Sequence, residues 1–162
     1  MAEPRIDQYK RELLYRKAHG KKLMDAYLSK VAQLFPSGKQ PELLALEETD
    51  IFLNKFRLLH AELHKEAFRI FPSKLHVELL IIRNSDKKFH VMIDEDWKYC
   101  GMLKSREIKL LNTYAMFGEM ILNDMVFISD DMSFAYHFDF SQENGVDVID
   151  VTKWRKIENM KS

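Results

Sequence analysis

The clearest alternation in the chain runs over residues 132–140. Met132, Phe134, Tyr136, Phe138 and Phe140 fall on one side, and Ser133, Ala135, His137 and Asp139 on the other. That two-residue period predicts a strand with one large aromatic face buried on a core. The segment 120–129 is its natural neighbour across a turn at Asp130-Asp131. Gln142-Glu-Asn-Gly145 then turns the chain into a last strand over 146–151.

The first half has a different period. Ile6, Tyr9 and Leu13, then Met24, Tyr27, Val31 and Leu34, recur at three- and four-residue steps, as one face of a helix requires. Gly20 lies between the two sets, which leaves one bent helix or two. Pro36-Ser-Gly38 ends the segment. A second helical segment starts near Pro41, with Thr49 placed to cap a fresh helix. Its stripe is Phe52, Phe56, Leu59, Leu63, Ala67 and Ile70, stopped by Pro72-Ser73. From residue 75 the pattern reads as strands. The run 77–83 is apolar and β-branched, Asn84-Ser-Asp-Lys87 is a turn, and 89–93 returns as the second arm of a hairpin. Residues 97–101 suit a short third strand. The segment 105–117 fits either a helix capped by Ser105 or an extended stretch. The pattern predicts an α+β fold. Helices over about 5–71 pack on a mainly antiparallel sheet over about 75–151, in a single domain spanning 1–162.

Composition adds few constraints. The chain has 162 residues, 46% apolar and 31% charged, with five Gly and four Pro. That is ordinary globular composition with room for one core. The single cysteine, Cys100, excludes an internal disulfide. The N-terminal stretch lacks the apolar centre of a signal peptide, and no apolar run approaches the length of a membrane span. A cytoplasmic location is the expectation.

Charge changes the picture more. Between Leu110 and Thr152 the chain carries eight acids and no Lys or Arg, although its net charge is zero. The acids are Glu119, Asp124, Asp130, Asp131, Asp139, Glu143, Asp147 and Asp150. Asp139 lies opposite the aromatic face of its strand, and Asp130, Asp131, Glu143 and Asp147 lie in or beside turns. An acidic face is therefore expected, one that attracts a basic protein and repels nucleic acid. The candidate partner-binding residues are Asp124, Asp130, Asp131, His137, Asp139, Glu143 and Asp147. The competing reading is that Asp collects at turns for local hydrogen bonding. Residues 1–40 carry nine basic and four acidic residues. No stacking or groove-reading motif accompanies them, so a nucleic-acid partner is not expected.

Candidate chemistry is sparse. His60 and His64 are four apart on the predicted helix, a spacing that can present two imidazoles to one metal. The residue after the first His is Ala61, where the zinc-protease pattern needs Glu. They stand as weak metal candidates and carry the alternative of a metal-dependent hydrolase. Ser133 and His137 would be about 13 Å apart along one strand, too far for a nucleophile and its base. There is no Gly-rich phosphate loop, and no cofactor is expected. A further alternative is an oligomeric scaffold or chaperone that uses exposed helix faces.

The acidic segment from Asp124 to Asp150, above all Asp130-Asp131 and the strand from Phe134 to Phe140, resembles in type the bacterial immunity proteins. Those proteins neutralise nuclease toxins in contact-dependent growth inhibition and related polymorphic toxin systems. The resemblance implies a stoichiometric inhibitor, not an enzyme. Its acidic face would dock on the basic cleft of a toxin domain, with aromatic residues as anchors.

Overall fold

A computed structural model describes residues 4–36, 41–105, 107–114 and 123–157. In chain order the elements are α1 (Pro4–Leu34), β1 (Glu42–Leu43), α2 (Leu46–Leu59), β2 (His64–Ile70) and α3 (Leu75–Arg83). There follow β3 (Phe89–Ile93), α4 (Trp97–Cys100), β4 (Leu103–Ser105), β5 (Asp124–Ser129), β6 (Phe134–Glu143) and β7 (Val146–Arg155). The strands form one antiparallel sheet of order β1-β4-β3-β5-β6-β7-β2. The fold is α+β, as the pattern predicts.

Both faces of the sheet are used. On one face Tyr27, Val31 and Leu34 of α1 and Leu75, Leu79 and Ile82 of α3 pack on Phe89, Val91, Phe127, Tyr136, Phe138 and Val151. Burying each such side chain contributes roughly 1.5–3 kcal/mol. On the other face α2 lays Phe52, Leu53 and Phe56 against Met92, Val126, Ile128, Ala135 and Trp154. β3 runs between the two layers, and all five of its residues are buried. The aromatic side chains of β6 face α1 and α3, the side their alternation assigns to a core.

Several elements differ from the sequence reading. The predicted strand over 77–83 is helix α3. Leu75, Leu79 and Ile82 are buried at helical spacing, while Val77 and Ile81 are exposed. A short unbroken apolar run has no period that separates a buried strand from a helix. The hairpin partner of β3 is therefore β5 on one side and β4 on the other. The predicted helix over 52–71 stops at Leu59, and 64–70 is β2, which pairs along β7. Leu63, Ala67 and Ile70 matched a helical stripe by spacing alone; Phe68 and Ile70, two apart, pack on the core. Residues 97–100 form a short helix, not a strand.

α1 continues unbroken through Gly20, which is buried where the helix crosses α4. A Cβ at Gly20 would overlap the Tyr99 carbonyl oxygen. The basic residues of α1 are partly spent inside the fold. Arg16 holds Asp50 through two hydrogen bonds of 2.8 and 3.0 Å, Lys17 pairs with Glu47, and Lys30 reaches Asp94 and Asp96 at 2.6 and 2.9 Å. Among the described residues, no helix is long and apolar enough to cross a membrane.

Candidate functional site

The face of the sheet covered by α2 is covered only in part. Beyond Val126 and Ala135 the same face continues as polar side chains open to solvent. Strand register sets their arrangement. Asp124 on β5 lies opposite Asp139 on β6, and Asp139 lies opposite Asp150 on β7. Arg69 on β2 lies opposite Asp150. A row of three carboxylates thus crosses three adjacent strands and ends on a guanidinium. Directly opposed residues have Cβ atoms about 4.5–5.5 Å apart, and like charges at that spacing are destabilising.

The two ends of the row are compensated. His137, on the same face of β6, places Nε2 2.7 Å from Asp124 Oδ1, and this hydrogen bond raises the His137 pKa above its ordinary value. Arg69 Nε donates to Asp150 Oδ1 at 2.8 Å, and this bond holds the Asp150 carboxyl below its usual range. The same guanidinium donates to both oxygens of Glu143 at 2.6 and 2.9 Å. Asp139, between them, has its carboxyl pKa raised by partial burial and then by Asp124. No cation of the described residues is bonded to it.

The seven predicted residues therefore separate. Asp124, His137 and Asp139 converge on this open face. Glu143 joins them through Arg69, and Asp147 stands at the hairpin end, where it accepts a hydrogen bond of 2.7 Å from Gln142. Asp130 and Asp131 sit at the other end of β5, about 20 Å away at roughly 3.3 Å per strand residue. Asp131 is a local turn residue. It accepts from the Ser129 and Ser133 hydroxyls at 2.6 and 2.7 Å, from the Ser133 amide at 3.1 Å, and from Lys87 at 2.6 Å. Partial burial opposes its ionisation, yet Lys87 and the two serines hold the carboxyl far below the usual range. The hydrogen bonds of Asp131 are those that the turn-chemistry reading expects. Asp130 faces inward and meets His90. Glu119 lies outside the described residues.

The site includes residues absent from the sequence-predicted set, namely Asp150 and Arg69. Asp150 was within reach of sequence reasoning. Asn144 and Gly145 both take positive φ, 53° and 78°, in a two-residue turn. An Asn-Gly pair is the strongest short hairpin signal, and it places residue 143 opposite 146, hence 139 opposite 150. Arg69 had no such signal, because its segment matched a helix.

His60 and His64 do not share a helix face. His60 opens a 3₁₀ turn and its Nδ1 lies 2.8 Å from the Arg57 carbonyl oxygen, whereas His64 begins β2. The helical spacing that suggested a shared metal does not exist. Among the described residues no group of three or more His, Cys, Asp or Glu could hold a metal ion. Cys100 is buried, and that burial pushes its thiol up to about 11, far from nucleophilic poise.

A scan against protein-family models, a search of curated proteins and a search of solved structures each found no match for this chain.

Proposed function

We propose that this chain is a non-enzymatic binding protein that docks a basic protein on the open face of β5, β6 and β7. The observation that carries the reading is the carboxylate row Asp124–Asp139–Asp150, uncovered by any described helix. Opposed like charges cost stability, and a cationic partner offsets that cost on binding. Asp139 is the centre of the contact, since it alone of the three is bonded to no internal cation of the described residues. The finer reading is an immunity-type inhibitor. In it, Lys and Arg of a nuclease-like toxin's substrate cleft engage the row, and the docked sheet excludes nucleic acid.

The test is a pull-down at low salt with salt-gradient elution, comparing the wild-type chain with Asp139→Lys and with Asp131→Asn. The wild type and Asp131→Asn retain a basic protein that elutes as salt screens the contact. Asp139→Lys, with a native far-UV circular dichroism spectrum, releases it. Equal retention by Asp139→Lys removes the proposal.

A further inference from the structure

The two edges of the sheet are built differently. One is β1, two residues long, and so short a strand offers little to pair with. The other is β2, seven residues without Pro or Gly, held to β7 in unbroken register. Among the described residues nothing pairs with its other side. Lys65, Glu66, Ala67 and Arg69 are exposed. Charge is the usual guard of such an edge, and here it is partly spent. Arg69 turns its guanidinium across to Asp150 of β7 and on to Glu143 of β6.

The β6–β7 turn fixes which backbone groups of β2 face outward. Asn144-Gly145 is a two-residue turn, so Glu143 and Val146 exchange both of their backbone hydrogen bonds, and every second pair beyond them does the same. The residues between, Ile149, Val151 and Lys153, turn the other way and meet Ile70, Phe68 and Glu66 of β2. The Phe140 amide, opposite Ile149, correspondingly points away from β7 and donates to the Asn123 carbonyl oxygen at 2.8 Å. Lys65, Ala67 and Arg69 therefore direct N–H and C=O to the open side. These groups specify what completes the edge, namely another extended strand.

We infer that β2 pairs antiparallel with β2 of a second copy of this chain, about a two-fold axis normal to the sheet and centred on Phe68. With one long edge per molecule, the contact closes as a dimer and does not propagate. Charge selects the centre. An axis at Glu66 or at Arg69 sets that charge against itself, and an axis at Ala67 sets Lys65 against Arg69. The axis at Phe68 opposes no like charges. Phe68 meets Phe68, Ala67 meets Arg69, and Glu66 meets Ile70. Lys65 meets Phe71, which continues the extended backbone and is 60% exposed, so the lysine stem covers its ring. The two carboxylate rows then lie on the same side of one continuous sheet. The pairing does not depend on what docks there.

The experiment uses the full chain without any partner. Sedimentation equilibrium over a range of concentrations gives a reversible approach to twice the monomer mass. Backbone amide exchange reads the edge directly. The amides of Lys65, Ala67 and Arg69 lose protection on dilution, whereas those of Glu66, Phe68 and Ile70, bonded to β7, keep it. Ala67→Pro removes one outward donor and no bond to β7, so this variant is a monomer with a native far-UV circular dichroism spectrum. The wild-type exchange pattern decides the matter even where that variant does not fold. A monomer at the highest soluble concentration, exchange of the three outward amides that ignores concentration, or a folded Ala67→Pro that dimerises as tightly as the wild type would each overturn the inference.

Discussion

Asp139 on β6 and Asp150 on β7 stand directly opposite each other on the uncovered side of the sheet. Asp124 closes on Asp139 from the other flank. A strand pair normally places opposite charges or apolar groups at such positions. Replacing Asp139 with Asn removes the repulsion at little cost in shape. The expected gain is about 0.2–1 kcal/mol at neutral pH. The penalty in the wild type exists while the carboxyls are ionised and is relieved as pH falls through the raised pKa of Asp139. Urea unfolding of the two proteins at neutral and at acidic pH measures both effects; the difference between them shrinks in acid. On the proposed function the same variant is expected to lose affinity for a basic partner, so that stability and binding move in opposite directions.

Two histidines on one sheet face are expected to titrate on opposite sides of the ordinary value of 6.5. His137 is raised by its hydrogen bond to Asp124, and His90 is lowered by burial. The raised His137 contributes stability that is complete below the unfolded pKa and is lost as pH rises through its folded pKa. The lowered His90 acts in the other sense: as pH falls below the unfolded value, the unfolded chain takes up a proton that the folded chain refuses. Imidazole resonances followed against pH distinguish them, with Asp124→Asn returning only His137 toward 6.5.

Gly20 is set by a close approach between helices rather than by its backbone angles. In an exposed helix, Gly→Ala gains roughly 1 kcal/mol of propensity. Here the new methyl meets the Tyr99 carbonyl oxygen. The overlap costs about 1–3 kcal/mol and reverses the sign of the substitution. Thermal unfolding of Gly20→Ala should show a midpoint lowered by several degrees. A raised midpoint would mean that α1 and α4 are not in contact at this position.

Asp131 supplies acceptors to two hydroxyls, one amide and one ammonium in the β5–β6 turn. Asp131→Ala leaves these donors to water, at a cost of about 1 kcal/mol. Affinity for a basic partner stays unchanged, because the turn lies about 20 Å along the strands from Asp139. Unfolding and binding measured on the same variant separate these roles; loss of binding without loss of stability would extend the interface to the turn.

The legible parts of the fold were those where one residue's environment follows from a short local period. β6 showed both of its faces in sequence, and the turns at Asp130-Asp131 and 142–145 fixed its neighbours. α3 and β2 were not legible because each is short and set by tertiary contact. Val77 and Ile81 are apolar yet exposed, which blurs the helical pattern of Leu75, Leu79 and Ile82 in α3, and β2 reads as helix until β7 is known to lie beside it. The acidic block showed that a negative face exists but not where its charge goes. Lys87 and Arg69, far away in sequence, compensate Asp131, Glu143 and Asp150. Asp139 is distinguished by having no such bonded cation among the described residues, which no count of acids reveals.

The attachment of β2 to β7 has a consequence for the order in which the molecule is completed. β2 is made before β7, the last of the described strands; Arg69 and Asp150 are 81 residues apart. On the ribosome β2 waits without its neighbour until β7 emerges, and closing so long a loop makes this among the slowest contacts to form. The acidic row gains Asp150, and the cation that restrains it, in that same closing step. On the proposed function, a nascent chain carries no finished docking face, and binding competence would mark the end of folding rather than an early stage of it.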